Sequence, residues 1–338
     1  MNKISFAIIG CGQIAQRHAK HIHAYGQLVA VCDIVERKAG FLAEQYNAAV
    51  YSQINELLSS GLLIDVIVIC TPNGLHAEHS ILALHKGYHV LVEKPMALSA
   101  ADCKNMIIAA EEAGKKIFTV VQNRFNSPVL AVKKALNKNS FGKISSIQLT
   151  CSWNRTAAYY KDSWHGTKNM DGGILFTQFS HFIDLLYWFF GDVKKIFALT
   201  KNADHKDSIE FEDCGVVALE FENGIIGTIN FSINSFAKNR EGSLMILGEN
   251  GSVKIGGEYL NTIEYAQFAN YELENIGEVA GANDYGSYQG SMSNHDKVYQ
   301  NIVDTLQHGA PLYANEQEGL KTVEIIERIY RAANELTE

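Results

Sequence analysis

The first third of the chain alternates short apolar runs with longer amphipathic stretches. The apolar runs are rich in Val, Ile and Leu and carry no polar alternation, which is typical of strands covered on both faces in a parallel sheet. Strands are predicted at Phe6–Ile9, Leu28–Cys32, Val66–Cys70, His89–Val92 and Ile117–Val121. Helices are predicted between them at Ile14–Tyr25, Lys38–Tyr46, Ile54–Ser59, Ala77–Lys86 and Ala100–Ala113. These repeated β-α-β units predict a doubly wound α/β domain with a parallel sheet over residues 1–122.

The pattern changes after a predicted helix at Pro128–Asn137, and apolar and polar positions alternate from Ser146 to Trp153. Further strands are predicted at Lys195–Leu199, Gly215–Glu222, Ile225–Ile233, Ser243–Gly248 and Ser252–Ile255. Helices are predicted at Leu175–Phe190, 296–308 and 316–334. Residues 123–338 are therefore predicted to form an α+β domain on a mostly antiparallel open sheet. Its C-terminal helix is a candidate to pack back on the first domain.

The strand predicted at Ile225–Ile233 has two unlike faces. One face is apolar and is expected to pack on helices: Ile229, Phe231 and Ile233. The other face is partly polar: Thr228, Asn230 and Ser232. We expect this second face to meet another subunit, which predicts a homodimer or a homotetramer assembled through the C-terminal sheet.

Composition narrows the class of protein. A length of 338 residues suggests two domains, and a formal net charge of −8 argues against general binding to nucleic acid. The longest apolar stretches, Leu62–Cys70 and Leu185–Phe190, are far too short to span a membrane. The six cysteines are scattered without a Cys-x-x-Cys motif, as expected of free thiols in a reducing cytoplasm. These observations predict a cytoplasmic protein that binds a small molecule.

A glycine-rich turn lies between the first predicted strand and the first predicted helix, at Gly10-Cys11-Gly12-Gln13-Ile14-Ala15. It has the form of a dinucleotide-binding fingerprint: Gly10 permits the tight turn, Gly12 lets a diphosphate approach the backbone, and Ala15 lets the helix pack on the strand. The diphosphate would bind the free amides at the helix N-terminus. A nicotinamide cofactor implies hydride transfer.

An acidic residue follows the second predicted strand, as this fingerprint requires. Asp33 lies 23 residues after Gly10, close to the spacing of about 20 at which an acid accepts from the ribose 2′-OH. A carboxylate there repels a 2′-phosphate. No arginine follows Asp33 directly, since Arg37 comes four positions later, after Glu36. The sequence therefore favours NAD over NADP. The alternative is that Asp33 only caps a turn.

Three groups of residues carry possible chemistry. Lys94, in Glu93-Lys94-Pro95, ends a strand where a desolvated amine can exchange a proton or bind a reacting hydroxyl, and the alternative is a surface ion pair. His181 follows Gly172-Gly173 on a predicted helix, four residues after Thr177, where it suits acid–base catalysis, and the alternative is a hydrogen-bonded core histidine. The loop from Trp153 to Thr167 contains both cationic and aromatic side chains. The cations suit a phosphate or carboxylate, and the aromatic side chains suit stacking on a ring of a ligand. The alternative is an ordinary packed loop.

A metal site is not predicted. His18, His21 and His23, or His76 and His79, are imaginable ligands, but no third partner stands at ligand spacing in the sequence. Surface histidines on helices explain them better.

Together these motifs resemble the glucose–fructose oxidoreductase, inositol dehydrogenase and rhizopine-catabolism (Gfo/Idh/MocA) family, over essentially the whole chain. The resemblance rests on the glycine turn, Thr71-Pro72-Asn73 with His76, Glu93-Lys94-Pro95, and Gly172-Gly173 followed by His181 and Asp184. It implies an N-terminal Rossmann domain, a C-terminal substrate and oligomerisation domain, and an NAD-dependent dehydrogenase of a sugar CH–OH group. Many members carry an acid or Asn where Thr177 stands, so a carboxylate relay from that position is missing.

Within the family, the segment from Arg155 through Tyr159-Tyr160 and Ser163–Thr167 to Gly173 is similar to UDP-N-acetyl-2-amino-2-deoxyglucuronate 3-dehydrogenases of surface-polysaccharide synthesis. Residues 286–291, Asn294-His295 and the segment from Glu316 to Tyr330 are similar too. The resemblance implies cofactor contacts at Gly10, Gly12, Gln13, Ile14, Asp33, Ile34, Thr71, Pro72, Asn73, His76, Glu93, Lys94, Gln122, Asn123 and Trp164. It implies substrate contacts at Lys94, Arg124, Arg155, Tyr160, Lys161, Thr177, Gln178, His181 and His295.

Three functions stay open at this point. The first is oxidation of C3 of a nucleotide-linked N-acetylhexosaminuronate, with Lys94 and His181 facing each other across the nicotinamide in one crevice. We favour His181 as the base and Lys94 as the orienting residue. The second is a dehydrogenase of a free polyol or monosaccharide on the same fold. The third is a non-catalytic NAD-sensing regulator.

Overall fold

The computed structural model describes residues 3–274, 281–284 and 289–335. The chain divides into two compact units, one from Met1–Val121 and His295–Val323, the other from Gln122–Asn294 and Glu324–Glu338. Among the described helices, none combines the length and the apolar character needed to cross a membrane.

A six-stranded parallel sheet forms the centre of the first unit. Its strands are β1 (Ile4–Ile9), β2 (Gly26–Cys32), β3 (Ala49–Tyr51), β4 (Val66–Ile69), β5 (His89–Val92) and β6 (Ile117–Thr119). Their order in the sheet is β3-β2-β1-β4-β5-β6, and every neighbouring pair is parallel. The order reverses between β1 and β4, which is where such sheets bind their ligands, at the carboxyl ends of the strands.

The connections of this unit are helical, as predicted. They are α1 (Gln13–Tyr25), α2 (Glu36–Tyr46), α3 (Ile54–Leu58), α4 (His76–His85) and α5 (Ala100–Ala113). All four residues of β4 are buried, because helices cover both faces of the sheet. The edge strand β3 was not predicted, because it has only three residues and Val50 at its centre is exposed.

The second unit contains a seven-stranded sheet with one parallel pair. Its strands are β7 (Ile144–Ser152), β8 (Val193–Lys201), β9 (Cys214–Phe221), β10 (Ile226–Ser232), β11 (Glu241–Gly248), β12 (Gly251–Gly256) and β13 (Thr262–Phe268). Their order is β13-β12-β11-β7-β10-β9-β8, with β7 and β10 parallel and all other neighbours antiparallel. The predicted α/β fold class, with a mostly antiparallel second sheet, is confirmed. The sequence did not reveal β13, whose residues are mostly exposed.

Four helices and a small pair of strands complete the second unit before residue 295. The helices are α6 (Ser127–Asn137), α7 (Ala157–Tyr160), α8 (Ile174–Thr177) and α9 (Ser180–Phe190), and the strands are β14 (Ala282–Asp284) and β15 (Gln289–Met292). The predicted helix Leu175–Phe190 is wrong as one element, because the chain leaves helical geometry between α8 and α9. Two long helices follow, α10 (His295–His308) and α11 (Glu316–Glu335). Residues 286–288 of the segment noted above lie outside the described residues.

The two faces of the second sheet differ as the alternation in β10 predicts. Ile229 and Phe231 are buried, while Thr228 and Asn230 are exposed. On the buried side, the ring of Phe190 on α9 meets the ring of Phe221 on β9 at a centroid distance of 5.5 Å. The apolar side chains of α9 therefore pack over this face.

Candidate functional site

The glycine turn of the first unit leads from β1 into α1. Gly10 has a φ of +91°, and a Cβ at this position would stand 2.6 Å from the carbonyl oxygen of Cys70. At Gly12 a Cβ would meet no atom within 4 Å, so this side of the turn is open. Gly12 is also the N-cap of α1, and no side chain caps this helix. The first amides of α1 are thus suited to receive a diphosphate.

Asp33 follows β2 and is bonded to the glycine turn. Its Oδ2 accepts a hydrogen bond from the Cys11 amide at 2.7 Å, and its Oδ1 accepts one from the Val35 amide at 2.7 Å. The carboxylate therefore does cap a turn, as the alternative interpretation holds. Each oxygen keeps a second lone pair, so capping is compatible with a ribose hydroxyl donating to it. The neighbouring Ile34 is 87% exposed, which leaves its side chain open to a ligand.

His76 links the ends of two strands. Its Nδ1 lies 2.7 Å from the carbonyl oxygen of Pro95, and its Nε2 lies 3.0 Å from that of Thr71. The ring is buried, and burial lowers its pKa, so it is neutral at physiological pH. These contacts fix the residues after β4 relative to those after β5. We therefore describe His76 as a structural residue beside the predicted cofactor site.

Glu93-Lys94-Pro95 follows β5 directly, and the Lys94–Pro95 peptide bond is cis. The Glu93 side chain is buried, and its Oε1 lies 2.8 Å from His18 Nε2. Burial alone would raise the pKa of Glu93, but His18 and His295 facing the carboxyl hold its pKa well below the usual range. Glu93 is therefore an anion. Lys94 is half-buried at the carboxyl edge of the sheet, as its predicted role requires.

The residues after β6 form a turn of 3-10 helix, Gln122–Phe125, in the second unit. Gln122 Oε1 and the side-chain amide of Asn123 are buried, and they have no hydrogen-bond partner within the described part of the chain. Such orphaned polar groups are candidates for a ligand or a water molecule. These two residues therefore fit the predicted cofactor contacts.

Arg124 takes a different place from the one expected of a substrate ligand. It is 0% exposed, and it donates from Nε and Nη2 to the two carboxylate oxygens of Asp184 at 2.8 and 2.7 Å. Its guanidinium group also lies 5.1 Å from the centre of the Trp188 ring. This buried pair anchors α9 one turn after His181. We revise the role of Arg124 from substrate binding to positioning of that helix.

The Gly172-Gly173 turn lies against a tyrosine of α11. Gly173 has a φ of +129°, and the hydroxyl of Tyr330 fills the place where a Cβ would be. That hydroxyl accepts a hydrogen bond from the Leu175 amide at 3.1 Å and donates one to Glu212 Oε1 at 2.6 Å. Burial raises the pKa of Glu212 to about 7. Glu212 was not a sequence candidate, and Tyr330 was named only as the end of a segment similar to the family branch, because no local pattern links either residue to the turn.

The turn sets the direction of Thr177. Its hydroxyl donates to the buried carboxylate of Asp171, whose other oxygen accepts from the Gly166 amide at 2.7 Å. Thr177 and His181 lie on different helices, so the predicted i, i+4 pair on one helix is wrong. His181 is the second residue of α9 and is buried. The Gln178 amide between them is buried without a partner among the described residues, as expected of a ligand contact.

The loop from Trp153 to Thr167 is packed and contains the short helix α7. Arg155 is buried between the rings of Trp153 and Tyr159, at 5.2 and 5.3 Å from their centres, and donates to the carbonyl of Asn154 at 2.6 Å. Its cation thus supports the loop, as the alternative interpretation holds. Lys161 is exposed and Trp164 is half-buried, so these two remain open to a ligand.

Comparison with known proteins gives the class of the chain. Residues 4–121 match the family model described as "Oxidoreductase family, NAD-binding Rossmann fold", and residues 133–337 match "Oxidoreductase family, C-terminal alpha/beta domain". The chain belongs to the Gfo/Idh/MocA oxidoreductase family. The resemblance inferred from the sequence motifs is confirmed.

Two solved structures are similar to this oxidoreductase over almost its whole length. The WlbA dehydrogenase of Bordetella pertussis, in complex with NADH and UDP-GlcNAcA, is 33% identical with a TM-score of 0.88, covering 99% of this chain and 97% of that one. The WlbA dehydrogenase of Chromobacterium violaceum, with the same two ligands, is 32% identical with a TM-score of 0.91, covering 99% of this chain and 95% of that one. A curated relative, D-glucoside 3-dehydrogenase of Escherichia coli K12, is 26% identical over 97% of this chain and 94% of its own.

The oxidoreductase is NAD-dependent and acts on the CH–OH group of a sugar. The open side of the turn at Gly12, the uncapped start of α1 and the accepting oxygens of Asp33 fit this cofactor. An adenosine ribose with a free 2′-OH suits the Asp33 carboxylate, whereas a 2′-phosphate would meet like charge.

His295, a predicted substrate contact, is buried at the start of α10, with its Nε2 3.7 Å from Glu93 Oε1. Its contact with the substrate stays a prediction. The structure also brings one possible ligand atom from each of His18, Glu93 and His295 within 4.8 Å of one another, a grouping that the sequence analysis did not consider. Sequence spacing does not show this, because the three residues come from distant parts of the chain.

Proposed function

We propose that this oxidoreductase oxidises a hydroxyl of a nucleotide-linked sugar, at C3 of a UDP-N-acetylhexosaminuronate, in the synthesis of surface polysaccharide. The observation that carries the proposal is the similarity over nearly the full chain to dehydrogenases described with NADH and UDP-GlcNAcA. The charge of such a substrate calls for cations and hydrogen-bond donors near the site. Lys94 and Lys161 are candidates that keep some exposure.

NAD⁺, when bound, would supply the acceptor for the hydride from the carbon that carries the reacting hydroxyl. His181 removes the hydroxyl proton, so that the carbon–oxygen bond becomes a carbonyl as the hydride departs. Lys94 donates a hydrogen bond to the same oxygen and stabilises the negative charge that develops on it. These roles are proposals for the two residues, and each is tested by substitution below.

The cofactor contacts in this proposal follow the carboxyl edge of the first sheet. Gly12, Gln13 and Ile14 present the amides that would hold the diphosphate, and Asp33 would accept from the adenosine ribose. Further cofactor contacts are proposed at Gly10, Ile34, Thr71, Pro72, Asn73, Glu93, Lys94, Gln122, Asn123 and Trp164. Glu93 would act through its neighbours, since its own carboxylate is buried.

The substrate contacts in this proposal come from the loop and from α8 and α9. Lys161 would meet the nucleotide-sugar's negative charge. Tyr160 is buried with a hydroxyl that has no partner among the described residues, so a ligand group is a suitable acceptor or donor for it. Gln178 offers an amide of the same kind. Thr177 would act by fixing the turn, because its hydroxyl is already bonded to Asp171.

The assembly is proposed to form through the exposed face of the second sheet. The register pairs Leu199 with Val216, and Val216 with Asn230, so these side chains stand in one row on that face. Phe197 stands in the adjacent row and is 63% exposed. A row of exposed apolar side chains on a sheet face is typical of a subunit interface. We propose a homodimer or homotetramer on this ground.

The direct test is NADH formation by the purified protein with UDP-GlcNAcA, UDP-GlcNAc, glucose and inositol. We expect turnover with UDP-GlcNAcA and little with the free sugars. Lys94→Met and His181→Asn should abolish turnover and leave NAD binding nearly unchanged. The matched controls are the exposed Lys86→Met and His85→Asn, which should behave as wild type. Unchanged turnover in both Lys94→Met and His181→Asn would refute the assignment.

A second candidate is a sugar without a nucleotide, which the similarity to D-glucoside 3-dehydrogenase favours. The two candidates differ in whether UDP alone binds. UDP should raise the unfolding temperature of the NAD-bound protein if the nucleotide part is recognised, by mass action. A glucoside that raises it while UDP does not would favour the second candidate. The absence of NADH formation across the whole sugar panel would favour an NAD-sensing regulator.

A further inference from the structure

A buried polar cluster lies beneath the proposed catalytic lysine, wholly within the first unit. It consists of His18 on α1, Glu93 after β5, and His295 and Tyr299 on α10, and all four side chains are buried. Glu93 is the centre of the cluster. Its Oε1 lies 2.8 Å from His18 Nε2 and 3.7 Å from His295 Nε2.

The position of the proton on His18 follows from its two neighbours. Its Nε2 faces a carboxylate that can only accept, so Nε2 must carry the proton and donate it. Its Nδ1 lies 2.8 Å from the hydroxyl of Tyr299, which can donate to it. Tyr299 therefore holds His18 in the tautomer that donates to Glu93.

The spacing of the donors favours a hydrogen-bonded cluster over a metal centre. Two ligands of one tetrahedral Zn²⁺, each at about 2.0–2.2 Å from the ion, stand roughly 3.4 Å apart. The 2.8 Å between His18 Nε2 and Glu93 Oε1 is instead the length of a charge-assisted hydrogen bond. In addition, the positive charge of Arg17 acts on His295, which disfavours a cation in the cluster.

The other oxygen of Glu93 connects the cluster to the lysine. Glu93 Oε2 accepts a hydrogen bond from the backbone amide of Lys94 at 3.1 Å. One carboxylate thus binds the α1 histidine with one oxygen and the Lys94 backbone with the other. The orientation of this carboxylate decides where the Lys94 backbone lies.

We propose that His18, held by Tyr299, is a positioning residue that acts through Glu93 to fix Lys94 for catalysis. The inference rests on the proposed role of Lys94. His18 also connects α1, whose first turn is the proposed diphosphate site, to Lys94, which would bind the reacting hydroxyl. His295 supports the same carboxylate from α10.

Several charged or titratable groups surround the Glu93 carboxyl. They are His18 on α1, His295 and Tyr299 on α10, Cys70 after β4, His76 on α4, and Lys94 beside it. Burial opposes the charge on Glu93, and the two histidines overcome this effect. Without the proton donated by His18, the pKa of Glu93 will rise, because burial then acts with less opposition.

The first test compares His18→Leu with His18→Gln. Leu removes the donor, whereas the Gln side-chain amide can still donate near the place of Nε2. We expect His18→Leu to lower kcat by about tenfold to a hundredfold, with a smaller change in KM for NAD⁺. The wild type itself loses kcat toward acidic pH, because the proposed base His181 takes up a proton there. In His18→Leu the loss relative to wild type should deepen in the same direction, because the carboxyl of Glu93 then takes up a proton as well. His18→Gln should recover part of kcat, and the exposed His23→Leu on the same helix should match wild type.

The second test asks whether His18 acts through Glu93. If it does, the double variant His18→Leu/Glu93→Gln loses no more kcat than Glu93→Gln alone, because both changes break one chain of contacts. Additive losses, or a His18→Leu loss that is independent of pH and not recovered by Gln, would overturn the inference. So would a stoichiometric divalent metal whose removal by a chelator abolishes activity.

The two proposals fail in distinguishable ways. If Lys94→Met is as active as wild type, the proposed function fails at Lys94 and the inference fails with it. If Lys94→Met is inactive while His18→Leu equals wild type at every pH, only the inference fails. Circular dichroism and unfolding temperature of each variant confirm that it is folded.

Discussion

Two glycines in the turn after β1 have different surroundings, although they belong to one motif. Gly10 has a left-handed backbone and touches the carbonyl of Cys70, so it is required for the fold. Gly12 has an ordinary backbone and open space beside it, so the fold does not explain its lack of a side chain. The space at Gly12 is explained by a ligand that approaches the backbone.

Alanine substitutions should separate these two roles. Gly10→Ala should lower the free energy of unfolding by about 1–3 kcal/mol, because of its positive φ and the clash with Cys70. Gly12→Ala should keep the stability of the wild type and weaken NAD⁺ binding, because the methyl group occupies the diphosphate's approach. Thermal unfolding and calorimetric titration with NAD⁺ measure the two effects. Wild-type NAD⁺ affinity in Gly12→Ala would contradict the assignment.

At the same scale, Arg124 tests whether a buried cation serves structure or substrate. Arg124→Met removes the cation that binds both oxygens of the buried Asp184 carboxylate and should destabilise the protein by about 3–5 kcal/mol in urea unfolding. Arg124→Met/Asp184→Leu should recover much of this loss, because the carboxylate is then removed together with the cation. A stable Arg124→Met protein with a raised KM for the sugar would restore the original substrate-binding assignment.

At the scale of elements, the break between α8 and α9 is a feature that the sequence did not predict. Apolar side chains recur at helical spacing from Ile174 to Phe190, and no glycine or proline lies between them, so periodicity predicts one helix. The break depends on contacts distant in sequence: Tyr330 and Glu212 hold the first turn, and Asp171 holds Thr177. In contrast, β4 was predictable because all its residues are apolar and buried.

Glu212 should make stability depend on pH. Its folded pKa is raised to about 7 from 4.5, so the folded state keeps a proton that the unfolded state releases. Its contribution to the free energy of unfolding is full below the unfolded pKa and falls as pH rises through about 7, by on the order of 3 kcal/mol. Urea unfolding at about pH 5 and about pH 8 should show this fall in the wild type and not in Glu212→Gln. Parallel pH dependence in both proteins would contradict it.

The polar cluster at Glu93 shows the same limit of sequence reasoning. Glu93-Lys94-Pro95 was recognised as a motif, but the partners of Glu93 come from α1 and α10. The sequence does not show that these histidines are buried beside Glu93, because local patterns do not report burial against distant elements. The sequence thus predicted the fold and proposed the catalytic residues, while the contacts of Glu93 required the structure.

At the scale of the whole molecule, the exposed face of the second sheet carries the proposed assembly. Phe197→Asp places a charge among apolar side chains on this face and should dissociate the oligomer. Phe236→Asp is the matched control, since Phe236 is also highly exposed but lies outside the strands. Light scattering after size exclusion gives the mass of each. A wild-type monomer, or a Phe197→Asp protein of unchanged mass, would contradict the proposed interface.

The proposed function requires that a hydride passes from C3 of a UDP-linked sugar to NAD⁺ in this protein. UDP-GlcNAcA that carries deuterium at C3 tests this, with mass spectrometry of the reduced cofactor. We expect NADH that carries one deuterium, with no label transfer in Lys94→Met or His181→Asn. Unlabelled NADH, or no NADH from this substrate while a free sugar is oxidised, would contradict it.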